Sequence, residues 1–199
     1  MTTFGNSTVT YESMDFTVER YHAMVRSAVI GPEDRVELLR GKIVPMSPVG
    51  RLHAACVLGF QEILYARHLG QLTIRTQDPI TILPLSEPEP DVVVARYDAQ
   101  RYASGHPTPE DIHLVVEISD STLEKDRSYK FGIYADGQIP EYWIVNLVER
   151  QFEVYTVPIP GSGYTKKAVY LEGELFTHAL LGEIRLSDFF PPPIIVSRV

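Results

Sequence analysis

Hydrophobic positions along the chain follow two rhythms, one near 3.6 residues and one near two. Thr17 reads as an N-cap. Behind it Val18, Tyr21, Val25, Ala28 and Val29 keep helical spacing until Gly31-Pro32 breaks it. RVELLRGKIVPM is strand-like on both sides of Arg40-Gly41 and predicts a hairpin. Residues 51–69 predict a longer helix with Leu52, Ala55, Cys56, Gly59, Phe60 and Ile63 on its apolar stripe and Gly70 as its stop. LTIRTQ and ITIL both predict strands, parted by Asp78-Pro79.

The next strands lose their alternation. Val92-Val93-Val94-Ala95 is apolar on both faces, as a central strand covered from two sides would be. IHLVVEIS and EYWIVN have the same character, with a polar surface loop at 97–110 before them. Between these two strands, Ser121-Thr122-Leu123-Glu124 fits a capping box and predicts a helix over 122–135, closed by Asp136-Gly137. FEVYTV and YTKKAVYL alternate again and predict an outer hairpin around Gly161-Ser162-Gly163. The order predicts a single α/β (α+β) domain over 1–199 built on one central sheet, with residues 1–14 flexible and Pro191-Pro192-Pro193 closing it.

Composition narrows the function classes. With 18 basic and 26 acidic residues the net charge is −8, which disfavours a protein that coats nucleic acid without regard to sequence. The single cysteine, Cys56, excludes an internal disulfide framework and a cysteine-rich zinc site. No apolar run approaches the roughly 20 residues of a membrane span, and the first residues carry no secretory pattern, so the cytoplasm is the expected compartment.

Two carboxylates sit where carboxylates are costly. Asp91 opens the VVVA strand, and Glu117 lies inside IHLVVEIS. At the ends of neighbouring strands such a pair makes a site for a hard divalent cation, Mg²⁺ or Mn²⁺; salt-bridged or edge-exposed carboxylates are the alternative. Lys130 shares a helix face with Leu123, Arg127 and Tyr134, so it should point at the sheet; a solvated lysine paired with Asp126 is the alternative. Lys125 is the competing lysine, expected exposed among acidic neighbours. Glu37, between Val36 and Leu38, and His53, in the first turn of the long helix, are second-tier candidates; a buried salt bridge and a structural histidine are their bland readings. Tyr142, Trp143 and Cys56 read as packing residues, and Lys166-Lys167 as a solvated pair on an edge strand.

Pro90-Asp91, VVEIS at 115–119, DRSYK at 126–130 and IPEYWIVN at 139–146, with VELLRGKIVPMSP and His53 ahead of them, form an ordered set. It resembles the bacterial Uma-type restriction-endonuclease-like family of the PD-(D/E)XK superfamily. The resemblance implies an αβββαβ core with a central mixed sheet. It implies Asp91 and Glu117 as acidic metal ligands with the Ile118 main-chain carbonyl beside them. The lysine usually found two residues after the glutamate is Ser119 here, and the family pattern points to Lys130 on the following helix instead. The implied activity is Mg²⁺-dependent phosphodiester hydrolysis, with DNA a better candidate than RNA and a homodimer the implied assembly. Ser119 and the −8 charge keep a second class open: a non-catalytic binding or assembly protein on a degenerate nuclease fold.

Overall fold

The computed structural model describes residues 14–191. The expectations of a flexible 1–14 and of a closing Pro191-Pro192-Pro193 therefore lie, apart from Met14 and Pro191, outside the described residues. Helix α1 (Val18–Arg26) leads to a hairpin of β1 (Val36–Leu39) and β2 (Lys42–Pro45), then to helix α2 (Arg51–His68). Strands β3 (Leu72–Thr76), β4 (Val92–Arg96) and β5 (Ile112–Ser119) follow. A helical crossover made of α3 (Leu123–Lys125), a wide π-type turn over Asp126–Lys130 and α4 (Phe131–Asp136) leads to β6 (Glu141–Asn146), β7 (Gln151–Ile159) and β8 (Gly163–Leu171). A last hairpin pairs β9 (Leu175–His178) with β10 (Gly182–Arg185).

Six strands form one mixed sheet in the order β3-β4-β5-β6-β7-β8. Only β5 and β6 run parallel, because the helical crossover carries the chain back between them. The expected α/β architecture with antiparallel additions is what forms. The doubly apolar strands find apolar cover on both faces. Val92, Val94, Val116, Ile118 and Trp143 pack beneath α2 on Cys56, Phe60 and Leu64. Val93, Val115, Tyr142 and Ile144 pack on Ile133, Tyr134 and Ala135 of α4. Tyr142 and Trp143 thus divide between the two faces as packing residues, and burial pushes the Cys56 thiol up to about 12.

Several expectations give way to tertiary context. ITIL forms no strand; only an isolated bridge joins Ile82 to Ser86. Helix α1 stops at Arg26, and Val25 and Val29 lie exposed. Leu52, placed on the buried stripe of α2, is exposed, while Val57 and Leu64 are buried. The capping box at Ser121–Glu124 does not form: Thr122 donates to Asp126 Oδ2 at 2.7 Å instead of capping the helix. The Arg40-Gly41 turn does form, with positive φ at both residues (46° and 75°), as a primed hairpin turn demands. A side chain at Gly41 would also meet Asp15, whose Cβ lies 2.5 Å from the position a Cβ would take.

Lys167 is not simply solvated. Its Nζ donates to Glu153 at 2.8 Å, and Arg127 and Tyr155 donate to the same buried carboxylate. Burial alone would raise the Glu153 pKa, but the hydrogen bonds from Arg127, Lys167 and Tyr155 outweigh it and hold the carboxyl down to about 2. A carboxyl held below its ordinary value stabilises the fold in full above about pH 4.5, and that stabilisation is lost as pH falls toward 2. Glu153→Gln is therefore expected to cost about 2–3 kcal/mol at pH 7. The difference from wild type should shrink as denaturation is repeated down to pH 3; a pH-independent difference would contradict the charge origin.

Candidate active site

The pairing of β4 with β5 ends at Val92 opposite Val116, and beyond it the two strands part. Asp91 fills the gap. Its Oδ2 accepts the Ile118 amide at 2.8 Å, where a neighbouring strand's carbonyl would otherwise sit, and accepts His53 Nε2 at 2.9 Å. His53 comes from the first turn of α2, so one carboxylate joins the start of β4, the end of β5 and the start of α2. In an extended chain the N–H and C=O of one residue point to the same side, so the Ile118 carbonyl shares the side on which its N–H meets Asp91. His53 Nδ1 is buried and has no hydrogen-bond partner among the described residues.

Glu117 lies on the opposite face of β5 from Ile118, as the two-residue period dictates, and is 3% exposed. Its Oε1 accepts Lys130 Nζ at 2.8 Å and the Tyr134 hydroxyl at 2.5 Å. Lys130 is itself buried and reaches Glu37 Oε2 at 3.7 Å. Glu37, on β1, takes Lys125 Nζ at 2.7 Å on Oε1 and the Glu89 amide at 3.3 Å on Oε2. The π-type turn holds this arrangement: it buries Asp126, whose Oδ2 accepts Ser119 Oγ and Thr122 Oγ1 at 2.7 Å each. A wide turn inside a helix re-phases the side chains around it. Here it lets Lys130 and Tyr134 meet one oxygen, while Arg127 leaves for Glu153.

All five candidates, Glu37, His53, Asp91, Glu117 and Lys130, line one cleft of about 140 Å³, with Ile118 beside them. The solvated-lysine reading of Lys130 is thereby excluded. For Glu37 the buried ion pair and the place in the cleft are both present. Lys125, expected exposed, instead pairs with Glu37 and lines the cleft. Three participants escaped sequence reasoning. Tyr134 stood four residues from Lys130 on the same face, and that spacing could have found it. Asp126 was read only as a partner for Lys130. Glu89, in a proline-rich loop, carried no periodic signal.

The cleft is short of positive charge. Glu37, Glu89, Asp91, Glu117, Asp120 and Asp126 face Arg35, Lys125 and Lys130 within it. Burial drives the Glu117 pKa up to about 8; Lys130 opposes the rise, and Asp91 and Asp126 reinforce it. Burial also raises Asp126 and, with Glu37, raises Glu89. Burial would lower the Lys130 pKa, yet Glu117, Glu37 and Asp126 outweigh it and keep the ammonium charged. Among the described residues, no group of three or more His, Cys, Asp or Glu side chains is arranged to hold a metal ion. What the cleft offers is two hard carboxylates, each with one oxygen committed. Asp91 Oδ1 and Glu117 Oε2 have no hydrogen-bond donor among the described residues.

Comparison with known proteins bears on this site. None of the curated proteins compared matches the chain. Among solved structures it is similar to a crystal structure from Anabaena variabilis described as "a putative nuclease belonging to DUF820". The sequence identity is 15% and the TM-score 0.65, over 88% of this chain and 97% of that one, so the likeness is one of fold. The sequence profile of the Uma2 family, described as "Putative restriction endonuclease", matches residues 18–187. The match spans both strands and the crossover that build the cleft, and the chain belongs to the Uma2 family.

Proposed function

We propose that the chain is a divalent-metal-dependent endonuclease that hydrolyses phosphodiester bonds in DNA. The observation that carries the reading is the convergence on one carboxylate. Glu117, buried in a central strand, meets a buried lysine delivered by the next helix, with Asp91 at the adjoining strand end. The residues fit a cation. Two oxygens without donors, Asp91 Oδ1 and Glu117 Oε2, stand in a cleft with an excess of carboxylates, and the donor set is all oxygen, as Mg²⁺ and Mn²⁺ prefer. Asp91, Glu117 and the Ile118 carbonyl would hold it. Bound there, the ion supplies Lewis-acid activation of a phosphoryl oxygen and a water of lowered pKa.

The chain's own groups do the rest. The Ile118 amide and His53 fix the rotamer of Asp91. Tyr134 and Lys130 fix Glu117, and the buried Lys130 ammonium stays charged to orient the attacking water and to offset the charge that develops on the phosphorane. Lys130 thereby fills the role of the missing lysine at position 119. Glu37 holds Lys125 at the cleft wall, where the lysine can meet a substrate phosphate. The overall charge of −8 points to a restricted substrate rather than broad DNA coating. A homodimer acting in the cytoplasm completes the reading; no described helix is long and apolar enough to cross a membrane.

One observation favours a second reading, a non-catalytic binding protein. Ser119, at the usual lysine position, is committed to Asp126 rather than turned to the cleft. A cleavage screen over plasmid DNA, single-stranded DNA and RNA with Mg²⁺ and Mn²⁺ separates the two. The expected result is nicking or cutting of DNA that needs the metal and is lost in Glu117→Gln. Metal-dependent binding without cleavage of any substrate would favour the second reading.

A further inference from the structure

Helix α2 buries Cys56, Val57, Phe60 and Leu64 in the core. Its opposite face should be polar on a surface helix. Instead, the exposed positions Arg51, Ala54, Ala55, Leu58, Glu62, Tyr65 and Ala66, with Leu69 just past the helix end, recur at i+3 and i+4 within an arc of about 120°, while Leu52 and Arg67 are exposed outside it. Six of these eight are apolar, and Leu58, Tyr65 and Leu69 are 52%, 40% and 77% exposed. The stripe runs the length of the helix, and apolar surface so arranged marks an interaction site rather than scattered exposure.

The two charges on the stripe identify the occupant. Arg51 and Glu62 lie near its centre line, are exposed, and form no ion pair among the described residues. In an antiparallel pair of α2 helices, the register that sets Arg51 opposite the second copy's Glu62 also sets Leu58 opposite the second copy's Ala55. A two-fold axis repeats both contacts, giving two ion pairs that flank two leucine–alanine contacts. Ala54 and Ala55 leave room for the helices to approach closely. Over residues 51–62, the half of the stripe that overlaps in this register, the surface is complementary to itself in charge and in shape.

We propose that the solvent face of α2 is the surface on which a second copy of this chain docks, antiparallel and two-fold symmetric. This gives the homodimer of the reading above its interface, and it is tested without any cleavage readout. A single helix pair buries less than a standard interface, so the dimer is expected to dissociate in the micromolar range. Sedimentation velocity of the full chain from about 1 to about 100 μM should show monomer passing to dimer. Leu58→Glu should hold the chain monomeric throughout with its melting temperature kept, since Leu58 is exposed. Arg51→Glu and Glu62→Arg, each placing like charges together, should weaken association by about tenfold or more, and the doubly swapped chain should recover to within about threefold of wild type. A monomeric wild type would overturn the proposal, including the case in which another segment of the same chain covers the stripe. So would a dimer indifferent to Leu58→Glu, or a double swap no better than its parents.

Discussion

Replacing Lys130 by methionine is expected to destabilise the protein by about 3–5 kcal/mol, the range for removing one member of a buried ion pair. Lys130 is only 6% exposed and its ammonium serves both Glu117 and Glu37. Methionine fills most of the volume, so the loss is chiefly electrostatic: Glu117 keeps only its bond from Tyr134, and the carboxylate excess of the cleft grows. Lys125 is a natural control. It pairs with the buried Glu37 but is 27% exposed on its side chain and leaves Glu37 within reach of Lys130, so Lys125→Met should cost less, about 1–2 kcal/mol. The double variant Lys130→Met/Glu117→Gln should recover part of the loss, because no charge is then stranded. Urea denaturation measures all three. A cost below about 1 kcal/mol for Lys130→Met would show that the pair is not the buried contact described here.

Asp91→Asn is expected to do the reverse: leave the fold nearly intact and reduce metal-dependent cleavage by at least about 100-fold. Both hydrogen bonds to Asp91 use Oδ2, and an amide oxygen can accept from the Ile118 N–H and His53 in the same place. What the substitution removes is the charge. Asp91→Ala removes the acceptor as well and leaves the Ile118 amide and His53 without it, so any stability cost should appear in alanine and not in asparagine. Comparing the melting temperatures of the two variants with their cleavage rates separates a ligand from a structural acceptor. Equal activity of Asp91→Asn and wild type would remove Asp91 from the proposed metal site.

Much of this site is legible in the sequence. Apolar runs without alternation located the central strands, and a carboxylate inside such a run is conspicuous because burial makes it costly. Helical spacing correctly turned Lys130 toward the sheet. What stayed hidden depended on long-range geometry. Glu37 and Lys125 are far apart in sequence and meet only because the β1–β2 hairpin folds over the crossover helix. The π-type turn has no sequence signature in DRSYK, and a regular helix was the natural expectation; the turn is what buries Asp126 beneath Ser119. ITIL has strand propensity, but nothing there needed another strand, and its Ile80 and Ile82 were drawn into the core as a loop. The exposed stripe on α2 was invisible for the opposite reason. Its apolar residues looked like part of a core helix until the structure showed which face was buried.

The most direct test of the proposed metal site is a calorimetric titration of the full chain with Mn²⁺, wild type against Asp91→Asn and Glu117→Gln. One saturable site in wild type, absent from both variants, is the expected result, with the melting temperature without metal kept close to wild type in Asp91→Asn and lowered in Glu117→Gln, which leaves Lys130 without its buried partner. Undiminished Mn²⁺ binding in either variant would contradict a cation held jointly by Asp91 and Glu117.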